Sequence, residues 1–286
     1  MTIFHILILA IIQGAAELLP VSSSAHVIVA EKLLGLDPTR PEMTLLLVML
    51  HTGTMFSVLF FYWRAWRTSF FQSGKDAWAF LKLLVIASAL TGALGLALKF
   101  VIEKVVLKGM PHAEIEMIFG NLTLISASLA VVGCVIIYSG LKAHRAAGKG
   151  SPLALPGACW MGLVQGLCLP FRGFSRSGAT ISVGLILGHS RKRVEEFSFA
   201  MAVVLTPPVI AREVMRLLKA QHAVAGGACG LHLFVPSLIG MVFSFGAGLL
   251  ALRWLSTWLE QGRWHLFGIY CLCASLLVFV LSWSGM

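Results

Sequence analysis

The sequence predicts an all-α polytopic membrane protein with six transmembrane helices, two re-entrant helical hairpins and an internal repeat of inverted topology. The first observation is composition: of 286 residues, 58% are hydrophobic and 12% are charged. Soluble domains carry about 25% charged residues, so lipid must serve as part of the solvent for this chain. The second observation is a set of long apolar stretches. The third is a polar turn that recurs in both halves.

The six predicted spans are apolar stretches of roughly the length needed to cross a bilayer, about 20 residues. They cover 43–62, 77–101, 117–141, 196–218, 231–253 and 265–284. The net charge of +10 comes largely from Lys and Arg in the short loops between apolar runs. Such loops are typical of membrane topology, so we predict membrane lipid as a partner and no nucleic acid. The six cysteines show no CxxC pair and no zinc-type spacing.

Two further apolar regions, 3–35 and 155–188, are broken in the middle by polar and turn residues. Each half contains about 15 residues, which is too short to cross the hydrocarbon core comfortably. A re-entrant hairpin fits this pattern better, provided that protein or a water-filled cavity surrounds the turn. At least one of the serines in the first turn, at 22–24, is expected to cap the second half-helix.

The two broken regions resemble each other. Each contains Gln-Gly, then a proline, then Ser-x-Ser, then Leu-Gly, in the same order. We therefore predict a first repeat over 1–148 and a second over 149–286, each with one hairpin and three spans, together forming one integrated membrane domain. Because each repeat crosses the membrane an odd number of times, the second repeat must be inverted relative to the first. Inverted repeats with broken helices usually place their site near the midplane.

The distribution of Lys and Arg predicts the orientation. The side with loops 63–75, 142–152, 189–195 and 253–264 carries eleven of them, and the other side carries about eight. The first side is therefore predicted to be cytoplasmic.

Ionisable residues in the two turns are functional candidates, because charge within a membrane is costly. These residues are Glu17, His26, Arg172 and Arg176. Arginine binds phosphate through two parallel hydrogen bonds, and a helix N-terminus attracts anions. The second turn is thus predicted to bind phosphate, and the first to hold the reactive groups or a metal. The alternatives are a structural ion pair between Glu17 and an arginine, and a hydrogen-bonded core histidine at 26.

Two segments resemble the bacterial undecaprenyl-diphosphate phosphatase family. Residues 13–26, QGAAELLPVSSSAH, are similar to its (E/Q)xxxE box followed by PVSSxxH. Residues 173–180, GFSRSGAT, are similar to its PGxSRSxxT box, and EFSF at 196–199 also resembles family sequence. The order, spacing and hydrophobic plan agree across most of the chain.

The resemblance implies a hydrolase that converts undecaprenyl diphosphate to undecaprenyl phosphate and inorganic phosphate, which recycles the cell-wall lipid carrier and confers bacitracin resistance when overproduced. It implies a divalent cation, Mg²⁺ or Ca²⁺, and a site in the bacterial inner membrane that opens to the periplasm. The implied catalytic residues are Glu17, Ser23 and His26, with Glu17 and Gln13 at the metal. The implied phosphate-binding residues are Arg172, Ser175, Arg176, Ser177 and Thr180.

Two positions depart from the family pattern. Gln13 replaces the first glutamate of the box, which removes an anionic ligand that a hard cation prefers. Gln13 also has an alternative role, a hydrogen bond to the repeat-related Gln165. Arg172 stands where the family commonly has proline, which adds a cation beside the phosphate site.

Several alternatives remain open at the level of sequence. The attacking group is Ser23, His26 or an activated water. The rival function is a polyprenyl-phosphate transporter or flippase, because broken inverted repeats are a transporter architecture. A purely structural membrane protein has no use for charge in both turns. The substrate partner is a polyprenyl diphosphate, and a homodimer is left open.

Overall fold

The computed structural model describes residues 2–37, 41–108, 115–145, 150–223 and 231–284. Within these ranges the chain folds into ten α-helices joined by turns. They are α1 (Ile3–Leu18), α2 (Ser23–Leu33), α3 (Pro41–Ser69), α4 (Gly74–Val101), α5 (Leu122–Arg145), α6 (Leu155–Cys168), α7 (Arg176–Ile186), α8 (Arg191–Ala223), α9 (Leu231–Glu260) and α10 (Trp264–Trp283). The all-α prediction is confirmed.

Six of these helices contain stretches long and apolar enough to cross a membrane, and each corresponds to a predicted span. The stretches are Met43–Ser69, Gly74–Val106, Leu122–His144, Arg191–Ala211, Phe234–Glu260 and Trp264–Trp283. The second includes a π-helical turn, Ile102–Val106, that continues α4. The chain is therefore a multi-pass membrane protein.

The other four helices form two pairs at the predicted hairpins, α1 with α2 and α6 with α7. The first helix of each pair has 16 or 14 residues, and the second has 11 in both pairs. At 1.5 Å per residue, even the longest extends only about 24 Å, less than the roughly 30 Å hydrocarbon core. The breaks lie where predicted; their re-entrant placement in a bilayer stays a prediction.

Equivalent glycines of the proposed repeats pack closely against neighbouring helices in equivalent ways. α1 packs on α9, and α6 packs on α4. A Cβ added at Gly14 would lie 2.6 Å from the Ser244 carbonyl oxygen, and one at Gly166 would lie 2.8 Å from that of Thr91. Neither position has room for a side chain, so both Gln-Gly pairs set a close backbone approach. This packing agrees with the proposed repeat, whose boundaries and inversion stay predictions.

The two hairpin turns differ in how the second helix begins. Ser175 caps α7, since its hydroxyl accepts a hydrogen bond from the Gly178 N–H at 3.2 Å. Ser22 occupies the same place before α2 but makes no side-chain cap, so the expected serine cap is wrong there. The reason is its backbone, with φ 67° and ψ 95°, a conformation that non-glycine residues rarely adopt. The Ser22 hydroxyl instead lies 3.3 Å from that of Ser24.

Glycine is required in the second turn. Gly173 has φ +94°, and a Cβ there would lie 2.4 Å from the carbonyl oxygen of Ile125 on α5. Any side chain would be strained and would also collide with backbone. The turn that carries Arg172 and Ser175 is therefore pressed against α5, which fixes its position.

Candidate active site

A polar cavity of about 210 Å³ lies where the two hairpin turns meet α3 and α8. Its walls come from both turns, which confirms that the fold brings the two predicted motifs together. The lining residues are Ala16, Glu17, Ser22, Ser23, Ser24, His51, Cys168, Leu169, Phe171, Arg172, Phe174, Ser175, Arg176, Ser177, Leu205, Thr206 and Val209.

Glu17 is the hub of this cavity. Its Oε1 accepts a hydrogen bond from Arg176 Nη2 at 3.1 Å. Its Oε2 accepts one from Gln13 Nε2 at 3.2 Å and another from the Ser23 hydroxyl. One carboxylate thus joins the candidate nucleophile of the first hairpin to the arginine of the second.

The Glu17–Arg176 ion pair, an alternative from the sequence, is present, but it is not sealed from the cavity. The side chains of Glu17 and Arg176 are 18% and 22% exposed, and both line the cavity wall. Both charges can therefore contact a ligand in the cavity, and an anionic ligand would share the guanidinium with the carboxylate.

The second turn presents Ser175, Arg176 and Ser177 to the cavity, together with Arg172. Ser177 also donates a hydrogen bond to the Leu19 carbonyl at 3.3 Å, which ties the two turns together. Thr180 is different. It is fully buried behind the turn, with its hydroxyl 2.6 Å from that of Ser198. The structure does not bring Thr180 into the cavity.

Arg172 has neighbours outside the cavity. Its guanidinium lies 4.5 Å from the centre of the Phe119 ring, a cation–π contact. It also lies near Glu31 of α2. Burial raises the pKa of the Glu31 carboxyl to about 7, and the Arg172 charge acts in the opposite direction. The Arg172 guanidinium therefore places positive charge both at the cavity wall and near the buried Glu31 carboxyl.

His26 does not line the cavity. Its Nδ1 lies 2.8 Å from the Ser22 carbonyl oxygen, and its Nε2 lies 2.6 Å from the Tyr270 hydroxyl on α10. Both ring nitrogens are thus engaged away from Ser23, as in the alternative of a hydrogen-bonded histidine, but the ring is only partly buried and its partner Tyr270 is exposed, so His26 is not a core residue. A catalytic role for His26 stays a prediction that this geometry does not support.

His51, on α3, is a cavity residue that the sequence motifs did not reveal. Its Nδ1 lies 2.8 Å from the Leu47 carbonyl oxygen, and its Nε2 lies 3.9 Å from Glu17 Oε2. The sequence did contain one indication of a role for His51, because an ionisable residue inside an apolar span is a functional candidate. Nothing in the sequence, however, showed which face of α3 would meet the hairpins.

The donor set for a divalent cation centres on Glu17. Gln13 is 1% exposed and directs its amide nitrogen at Glu17. Its proposed bond to Gln165 is wrong, because the Gln165 amide nitrogen bonds Thr91 instead. Among the described residues, no group of three His, Cys, Asp or Glu side chains could hold a metal. A cation at Glu17 would therefore have few protein ligands, a mode that Mg²⁺ adopts with substrate phosphates, and the predicted Mg²⁺ or Ca²⁺ stays a prediction.

The chain is similar to known proteins along nearly its whole length. The family model described as bacitracin resistance protein BacA matches residues 6–277. The chain is 56% identical to undecaprenyl-diphosphatase 2 of Acinetobacter baylyi, over 99% of each chain. It is 31% identical to undecaprenyl-diphosphatase 2 of Burkholderia ambifaria, over 99% of this chain and 97% of that protein.

Proposed function

Since this chain belongs to the BacA family of bacitracin resistance proteins, we propose that it hydrolyses undecaprenyl diphosphate to undecaprenyl phosphate and inorganic phosphate. One observation carries the assignment. Glu17 accepts hydrogen bonds from both the Ser23 hydroxyl and the Arg176 guanidinium inside one cavity. A phosphoanhydride hydrolase needs this combination of an activated nucleophile and an anion clamp.

We infer that Ser23 is the nucleophile and Glu17 its general base. The Ser23 hydroxyl already donates to Glu17 Oε2, so its proton can pass to the carboxylate as Oγ attacks the terminal phosphorus. The bond between that phosphorus and the bridging oxygen breaks, and undecaprenyl phosphate leaves. Water then attacks the phosphoserine, the Ser23 oxygen–phosphorus bond breaks, and inorganic phosphate is released as Ser23 regains a proton.

The second hairpin would hold the diphosphate. Arg176 offers a planar donor set suited to phosphate oxygens, with Ser175, Ser177 and Arg172 on the same wall. A divalent cation, Mg²⁺ or Ca²⁺, would be held by Glu17 and the substrate phosphates and would neutralise charge on the diphosphate. Gln13 would act through its hydrogen bond to Glu17.

The lysine and arginine distribution supports an orientation with loops 63–75, 142–152, 189–195 and 253–264 in the cytoplasm, and the family resemblance implies a cavity in the plasma membrane that opens toward the periplasm. In that orientation the polyprenyl chain remains in the bilayer while the diphosphate enters the cavity. No feature of the cavity favours the transporter alternative, because a carrier needs an anion site but has no use for the Ser23–Glu17 pair.

The test is phosphate release by purified protein from undecaprenyl diphosphate, with and without EDTA. We expect release that EDTA abolishes and that added Mg²⁺ or Ca²⁺ restores, and no release with Ser23→Ala. Undecaprenyl phosphate serves as the control substrate and should release nothing, because it lacks the phosphoanhydride. Absence of release from any diphosphate lipid, together with lipid translocation in vesicles, would establish the transporter instead.

Gln13→Glu tests how the first box position affects the cation. The added carboxylate would lie beside Glu17, because the two residues are already in hydrogen-bond contact at 3.2 Å. We expect a lower cation concentration for half-maximal activity, with a smaller change in rate at saturation, because hard cations prefer anionic oxygens. Gln165→Glu, at the repeat-related position away from the cavity, is the control. An unchanged cation requirement in Gln13→Glu would make Gln13 purely structural.

A further inference from the structure

We propose that His51 and Glu17 form a two-residue cation site, in which the His51 Nε2 atom is the second protein ligand. This inference builds on the proposed function, since the diphosphate would complete the coordination. It assigns a role to a residue outside both signature motifs, and it gives the cation a nitrogen ligand where the sequence suggested oxygen ligands alone.

The hydrogen bond of the other ring nitrogen determines which atom of His51 faces the cavity. His51 Nδ1 lies 2.8 Å from the Leu47 carbonyl oxygen. A carbonyl oxygen can only accept, so Nδ1 must carry the proton. In the neutral ring, Nε2 then presents a lone pair. Metal-binding histidines commonly use this arrangement, in which a backbone carbonyl fixes the tautomer and orients the ring.

The lone pair faces another acceptor. Glu17 Oε2 lies 3.9 Å from His51 Nε2, so the two atoms either pair as carboxylate and imidazolium or, with the ring neutral, share a cation placed between them. Metal–ligand bonds to nitrogen and oxygen are about 2.0–2.2 Å long. A separation of 3.9 Å is shorter than two such bonds, so one cation can lie within bonding distance of both atoms.

The Arg176 guanidinium does not occupy the space between His51 and Glu17. Arg176 Nη2 bonds the other carboxylate oxygen, Oε1, at 3.1 Å. Gln13 also reaches Oε2, but it does so from within the protein, where it is 1% exposed. The space between His51 and Glu17 therefore adjoins the cavity and the Ser23 hydroxyl, where the terminal phosphate would bind.

An imidazole ligand changes the expected metal preference. Nitrogen ligands bind first-row transition ions more readily than they bind Mg²⁺ or Ca²⁺, which favour carboxylate, carbonyl and water oxygens. We therefore expect Mn²⁺ to bind the wild-type protein more tightly than Mg²⁺ does, and we expect this preference to shrink when the imidazole is removed.

The experiment uses Mn²⁺ as the probe, with methylene diphosphonate as a non-hydrolysable diphosphate. Mn²⁺ binding to the purified full chain is measured by electron paramagnetic resonance, and pulsed spectra report whether a nitrogen is bonded directly to the metal. The variants are His51→Gln and His26→Gln. The second is the matched control, because His26 lies in the first signature motif but outside the cavity wall.

We expect directly bonded nitrogen in the wild type and in His26→Gln, and its disappearance in His51→Gln with at least about 10-fold weaker Mn²⁺ binding. Nitrogen coupling that survives in His51→Gln or disappears in His26→Gln would overturn the assignment. So would wild-type protein that binds Mn²⁺ without nitrogen or does not bind it at all. Phosphate release, assayed separately, tests the enzyme function, so bound Mn²⁺ with nitrogen but without hydrolysis would refute the function and leave the site standing.

Discussion

Glu17→Gln is expected to lower the rate of phosphate release by at least about 10³-fold, because the substitution removes both the proposed general base and the anionic partner of Arg176, the proposed phosphate-binding arginine. The new side chain keeps the shape of the old one but not its charge. A neutral amide cannot act as a base that takes up the Ser23 proton, and it offers Arg176 no anionic partner. Phosphate release at saturating cation and lipid measures this effect.

The control for this variant is Glu103→Gln. Glu103 also forms an ion pair, with Lys99 at 3.7 Å, but it lies outside the cavity. It should retain activity close to that of the wild type, and thermal unfolding of both variants checks that each is folded. A folded Glu17→Gln protein that works within tenfold of the wild type would remove Glu17 from the chemistry.

Arg176→Ala is expected to reduce turnover by roughly 10²–10³-fold, the usual effect of removing one donor that stabilises developing negative charge. Arg176→Lys should also be impaired, because lysine keeps the charge but lacks the planar pair of donors. The measurement is phosphate release as a function of substrate concentration, which separates weaker binding from a slower chemical step.

The matched control for Arg176 is Arg67→Ala, which removes an exposed arginine from the last turn of α3. Near wild-type turnover is expected from it. If Arg176→Ala performed equally well, the phosphate-binding role of the second turn would be wrong, and Arg176 would serve mainly as a structural partner of Glu17.

The sequence allowed the spans and the hairpin breaks to be predicted because both depend on local properties. A stretch of about 20 apolar residues must be helical to satisfy its backbone in lipid. A Pro, Gly and Ser cluster interrupts such a helix wherever it occurs. The meeting of Glu17 with Arg176, which are 159 residues apart, followed from the repeat and from the cost of isolated charge.

Predictions that depended on tertiary packing were less successful. His26 was expected to act beside Ser23, three residues earlier, but it reaches Tyr270 on α10, 244 residues away. His51 carries no motif, and its place in the cavity depends on how α3 rotates against the hairpins. The burial of Glu195 was likewise not predicted from the sequence. It is a buried acid whose Oε1 accepts hydrogen bonds from Tyr62 and Ser256 on α3 and α9.

The backbone at Ser22 links the stability of the first turn to the proposed chemistry at Ser23. Its φ of 67° belongs to a class of conformations that cost about 1–3 kcal/mol, and this cost is borne at the residue next to the proposed nucleophile. In return, Ser23 is already oriented at Glu17 before substrate arrives, so less reorganisation is needed during the reaction. Selection for stability alone would favour a relaxed turn, whereas selection for the proposed hydrolysis would retain the strained one.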